Sequence, residues 1–241
     1  SLPSQGLLYP EDSPLRSGTI DVKYMTAKEE DILTSSNLIQ QGKVIDKLLE
    51  SVIANPQIKQ NELLVGDKNA LMVGTRVLGY GKDYQVEITD PDTKELVETT
   101  IDLTQLNHKK IDKKLFKNGN KFSFELPNSK RKIEFKLLTQ QDENNIQGIL
   151  KDYQKVEKLT GVSSELTTRF KYTILSIDGQ TEQHEIDKFV DNEFLALDAR
   201  ALRKYQNDIT PDVELKFDYT SQTGNLHTID VPLGTEFFWP A

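Results

Sequence analysis

The sequence predicts an α+β fold: helical bundle segments combined with several antiparallel β-hairpins. Three observations carry that prediction. Apolar residues recur at three- and four-residue intervals in both halves of the chain, the pattern of amphipathic helices. Elsewhere they alternate with polar residues on either side of Asp90-Pro91-Asp92-Thr93, Pro127-Asn128-Ser129 and Thr220-Ser221-Gln222-Thr223-Gly224, which are turn sequences between strands. Helix boundaries are also written into the chain, with a capping box at Thr26-Ala27-Lys28-Glu29 and glycine or proline stops further on.

The elements follow in order. Residues 1–17 carry Pro3, Gly6, Pro10 and Pro14 among Leu2, Leu7, Leu8 and Tyr9, a composition that excludes a helix or central strand and predicts an extended arm. Its apolar residues Leu7, Leu8 and Tyr9 need cover, either from the protein's own core or from a neighbour. Residues 18–106 form an α+β module. Ile20, Val22 and Tyr24 alternate as a half-buried strand, and Thr26 then caps a first helix. Val44, Ile45, Leu48, Leu49, Val52 and Ile53 give a second helix, stopped by Asn55-Pro56. Leu71, Met72, Val73, Val77 and Leu78 give a third, with Asp67 as a candidate cap and an end near Gly79-Tyr80-Gly81. Strands at 84–89 and 97–103 then close a hairpin.

Residues 107–138 form a basic β-hairpin insertion. Between 109 and 136, ten Lys or Arg face only Asp112, Glu125 and Glu134, a +7 segment inside a chain of net charge −8. Phe122, Phe124 and Leu126 alternate before the turn, and Ile133, Phe135 and Leu137 after it. Lysines on the opposite face keep a hairpin soluble and its edges unpaired. Lys113, Lys114, Lys130, Arg131 and Lys132 are also candidates for contacting an acidic protein partner, or nucleic acid if aromatic rings faced outward.

Residues 139–241 form a helix-rich module. Ile146, Ile149, Leu150, Tyr153 and Val156 lie on one stripe of a helix over 139–160, closed by Gly161. Leu166, Phe170, Ile174 and Ile177 continue the pattern in a helix ended by Asp178-Gly179, and two more helical segments run to Pro211. A final hairpin sets Val213, Leu215 and Phe217 against Leu226, Ile229 and Val231. The chain closes on Phe237-Phe238-Trp239-Pro240, whose rings either seal the protein's own core or dock on a partner.

Composition narrows the chemistry. There is no cysteine, which removes thiolate catalysis, disulfides and cysteine-held metal centres, and fits a reducing compartment. The three histidines, His108, His184 and His227, are widely spaced, and neither phosphate-cradling glycine loops nor a nucleophile elbow occurs. Carboxylate groups such as Glu29-Glu30-Asp31 read as solvated helix faces. No apolar run approaches the roughly 18 residues a membrane span requires. These absences predict a soluble, intracellular, non-enzymatic protein with no cofactor. An acidic whole disfavours unspecific nucleic-acid binding.

Taken together and in order, Leu2-Pro3-Ser4-Gln5-Gly6-Leu7-Leu8-Tyr9, Met25 to Asp31, Leu63-Leu64-Val65-Gly66-Asp67-Lys68, Arg76 to Tyr84, Ile101-Asp102-Leu103 and the closing aromatic run resemble the T4-type bacteriophage baseplate hub and tail-assembly proteins. The resemblance implies a subunit or assembly factor of the baseplate hub. Its partners would be other baseplate or hub proteins, or copies of itself, met in the host cytoplasm during assembly or in the virion tail. A chaperone absent from the virion is the variant reading. The resemblance also implies cysteine pairs at two hairpin turns. Here those turns read Asp90-Pro91-Asp92-Thr93 and Thr220 to Gly224, so packing and hydrogen bonds must replace a metal clip.

Overall fold

A computed structural model describes residues 1–233 and 237–239; Pro240 of the closing aromatic run lies outside the described residues. The fold is α+β, with eight α-helices and seven strands among those residues. Ala27–Leu33 (α1), Ser36–Gln40 (α2), Val44–Val52 (α3) and Val65–Tyr80 (α4) precede a hairpin of Asp83–Thr89 (β1) and Leu96–Asp102 (β2). Phe122–Glu125 (β3) and Lys132–Phe135 (β4) form the basic hairpin. Gln140–Thr160 (α5), Glu165–Thr173 (α6), Ile174–Ile177 (β5), Gln183–Asn192 (α7) and Ala196–Ile209 (α8) follow. Lys216–Thr220 (β6) and Leu226–Asp230 (β7) make the last hairpin.

Two apolar cores organise these elements. The first gathers Leu2, Leu8, Tyr9 and Leu15 with Leu63, Leu71, Phe122, Phe135, Phe170, Phe189 and Leu202, so it joins the N-terminal segment to the basic hairpin and α6 to α8. The second gathers Leu33, Leu48, Val52, Tyr84, Val86 and Ile101 with Val231, Phe237 and Phe238. The inward faces of the β1–β2 and β6–β7 hairpins both belong to it, although more than a hundred residues separate them in sequence. Helix α4 serves both, giving Leu71 to the first core and Val73 and Val77 to the second.

The capping box at the start of α1 is present: Thr26 N–H donates to Glu29 Oε2 at 2.8 Å. Glu29 is not solvated. It is buried and also accepts from Ser51 Oγ at 2.5 Å, which draws its carboxyl down to about 2, whereas Glu30 and Asp31 remain exposed.

Several expectations are corrected. Residues 3–8 are wound into turns instead of an extended arm, and Pro14–Ser17 is a 3-10 helix, because Gly6 and Gly18 take positive φ (75° and 74°) and fold the segment back on itself. A β-carbon at Gly6 would collide with the Arg16 carbonyl. The strand expected around Ile20 to Tyr24 reduces to one bridge, Val22 to Ile53, because the residue it pairs with is the C-cap of α3 and not part of a strand. The helix expected to run through Ile177 stops at Thr173. Ile174–Ile177 instead pairs antiparallel with β4, where Ile174 and Ile177 are buried on a sheet. In β7 the inward positions are His227 and Ile229; Leu226 points out and is 69% exposed. The two-residue strand period fixes that assignment from Val231 backwards.

Candidate functional site

The sequence landmarks meet in space at two places. At the first, Asp67, in the opening turn of α4, is wholly buried. Its carboxylate accepts from Ser4 N–H at 2.9 Å, Ser4 Oγ at 2.6 Å and Tyr9 Oη at 2.6 Å, and Tyr9 Oη in turn accepts from Leu64 N–H at 2.9 Å. Asp67 was expected to cap α4. Instead it fastens the N-terminal segment to it. Burial pushes the Asp67 carboxyl and the Tyr9 phenol up from their ordinary values. Gly66 is required beside it by space, since a β-carbon there would collide with the Pro211 carbonyl oxygen.

At the second place Arg76 is buried and donates to Gly81 O at 2.9 Å, with its guanidinium 5.3 Å from the Tyr80 ring centre and 5.8 Å from that of Tyr84. Tyr84 meets Phe237 edge to face at 5.2 Å and donates to Pro232 O at 2.7 Å. Phe238 lies against Phe237 at 5.0 Å, and Trp239 Nε1 donates to Leu33 O at 2.7 Å. Phe237 and Phe238 are each 2% exposed and Trp239 is half-buried. Of the two readings open for the N-terminal apolar residues and the aromatic run, the structure shows the inward one. Leu8, Tyr9, Phe237 and Phe238 are buried within this chain, and Leu7 is half-buried.

The turns in which the resemblance implied cysteine pairs lie against one another. Asp90 accepts from Tyr219 Oη at 2.8 Å and Gln222 N–H at 3.0 Å, as well as from its own turn's Asp92 and Thr93 amides. Asp92 accepts from Ser221 Oγ at 2.5 Å, from Thr223 Oγ1, and from Asn225 Nδ2 at 3.0 Å, with His227 Nε2 at 3.0 Å. These donors outweigh desolvation and hold the Asp90 carboxyl down at about 2 and that of Asp92 lower still. Among the described residues no group of three His, Cys, Asp or Glu is placed to hold a metal ion. The clip is made of hydrogen bonds.

The basic candidates are placed differently from the apolar ones. Lys113, Lys114, Lys130 and Lys132 are exposed and make no ion pair among the described residues. Lys113–Phe116 is a 3-10 helix whose Phe116 is buried while Leu115 stays 38% exposed beside the lysines. Arg131 is committed internally, to Asp178 at 2.8 Å and Glu193 at 2.7 Å, and lies over the Phe189 ring. The rings of this segment face inward, Phe122 against Phe135 and Phe124 against Tyr205, so none offers an outward stacking platform.

A profile described as T4 bacteriophage base plate protein matches residues 9–239. The chain belongs to that family. Searches of curated proteins and of solved structures return no match. Membership makes the chain a phage baseplate protein, and so one whose setting is that of other phage structural proteins. Among the described residues, no helix of this baseplate protein is long and apolar enough to cross a membrane.

Two features escaped the sequence reading. Asp198, buried in the first turn of α8, accepts from Asn128 N–H and Ser129 N–H at 2.8 and 3.0 Å, tying the basic hairpin's turn to that helix. An acidic residue early in a helix is an ordinary dipole partner, so nothing in the spacing singled it out. The second is the outer half of α5, where Tyr153 and Val156 of the apolar stripe are exposed.

Proposed function

We propose that this protein acts without catalysis, as a subunit or assembly factor of the baseplate hub, and that it contacts an acidic surface of a neighbouring tail protein through Lys113, Lys114, Lys130 and Lys132. The observation that carries this reading is the contrast within the +7 segment. Its apolar residues Phe116, Phe122, Ile133 and Phe135 are buried, while these four cations are exposed and lack internal partners. Cations held out on a 3-10 helix and on the β3–β4 hairpin speed encounter with an acidic partner and set its orientation. The buried anchors make the lysines' placement independent of their own side chains, so changing them need not disturb the fold.

The test is complementation of a phage lacking this protein with a Lys113→Glu/Lys114→Glu/Lys130→Glu variant, followed by quantitative mass spectrometry of purified particles and lysate. The expected outcome is a stable, folded variant and a loss of tail assembly of at least tenfold. Normal particle yield would remove the basic surface from the reading. In the wild type, fixed stoichiometry in particles would identify a hub subunit, and abundance in the lysate alone an assembly factor.

A further inference from the structure

Five of the fourteen exposed large apolar residues found among the described residues, Tyr153, Val156, Leu159, Val162 and Leu166, fall between 153 and 166. The outer half of α5 therefore stands away from the body, and between it, α6 and α7 lies an open groove of about 900 Å³. Ile149, Tyr153, Val156 and Val162 give it an apolar side, Glu157, Asp187 and Asp191 contribute acidic groups, and its two lysines, Lys136 and Lys171, are each paired with a carboxylate of the lining. Asp191 is paired with Lys171 at 2.8 Å, but Glu157 and Asp187 have no cationic partner among the described residues. Apolar surface concentrated in this way marks an interaction site.

The counterpart is on the same chain. Leu195 and Leu197, at the junction of α7 and α8, are 51% and 66% exposed. Arg200 and Lys204 follow Leu197 at i+3 and i+7 and share its face of α8; both are exposed and make no ion pair among the described residues. One surface is thus a groove with an apolar side and two unpaired acidic groups. The other is a pair of projecting leucines with basic groups.

We infer that the groove between α5, α6 and α7 is occupied by the Leu195, Leu197, Arg200 and Lys204 surface of a second copy of this chain. The leucines pack on its apolar side, formed by Tyr153, Val156 and Val162, and the cations meet Glu157 and Asp187. Because the two faces differ, each copy can donate one and receive with the other, the arrangement that builds rings or rows of subunits. This inference stands apart from the proposed hub role and is tested without any other phage protein.

Sedimentation velocity of the full chain over a range of concentrations and salt tests it. The wild type is expected to self-associate with rising concentration and to lose that association at high salt, where the charge contribution is screened. Val156→Asp and Leu197→Asp change exposed positions and are each expected to sediment as folded monomers with an unchanged circular dichroism spectrum. Mixed one to one, they are expected to form a heterodimer, since one retains an intact α8 surface and the other an intact groove. A wild type that stays monomeric at every concentration overturns the inference. So does a mixture that fails to associate, which would show that the two faces are not each other's partners.

Discussion

The carboxylates that matter in this protein are those with many donors and little water. Asp67 is the clearest case, because three donors converge on it from the N-terminal segment. Tyr9→Phe keeps the ring and its burial but removes one donor and leaves the Leu64 amide without its acceptor. Losing a donor to a buried charged acceptor costs about 1–3 kcal/mol. The urea midpoint is expected to fall accordingly, and a midpoint equal to the wild type's would show the hydroxyl to be dispensable. Asp90 and Asp92 act through pH. Their carboxyls are held below the ordinary value of about 4, so the stability they contribute is complete above that pH and is lost as pH falls through about 2 and below. Urea midpoints measured from pH 5 to pH 2 should decline more steeply for the wild type than for Asp90→Asn/Asp92→Asn. Parallel curves would mean that the clip does not titrate in that range.

At the scale of single elements, local signals were legible where the chain itself supplies them. The Thr26 box, the Gly161 stop and the turns at 90–93 and 220–224 specify α1, the end of α5 and two hairpins through contacts within a few residues. Non-local contacts decided the rest. Ile174 and Ile177 suit a helix stripe by spacing, yet the free edge of β4 recruits them as a strand. The apolar stripe of α5 was visible, but its periodicity could not tell that only Ile146 is buried and that Tyr153 and Val156 are not. The closing aromatic run behaves as a structural element. Burying two phenylalanines contributes about 3–6 kcal/mol at the usual 1.5–3 kcal/mol each, a large part of the 5–15 kcal/mol typical of a whole domain. Removing residues 234–241 is therefore expected to lower the melting temperature strongly, and a truncated protein that melts like the full chain would contradict this placement.

For the molecule as a whole, most of the landmarks that carry the resemblance lie inside it. Leu2 to Tyr9 meets Leu63 to Lys68 through Asp67, and Tyr84 of the Arg76 to Tyr84 stretch meets the closing aromatic run at Phe237. They record how the chain is closed. A charged or apolar side chain looks the same in a sequence whether a fold buries it or leaves it out. Only placement distinguishes Lys114 from Arg131, or Val156 from Ile146.

The pairing of the β1–β2 and β6–β7 hairpins also has a kinetic side. Bringing two segments together across a long flexible chain costs entropy that grows with the logarithm of the intervening length, about 0.6 kcal/mol per doubling. Here much of the intervening chain belongs to the first core, which it builds together with Leu2, Leu8, Tyr9 and Leu15 of the N-terminal segment. Once that core has formed, it acts as a preset spacer, and the two hairpins have only a short distance left to search. The fold thus favours an order of events in which the first core condenses early and the clip between the distant turns is the latch that closes last.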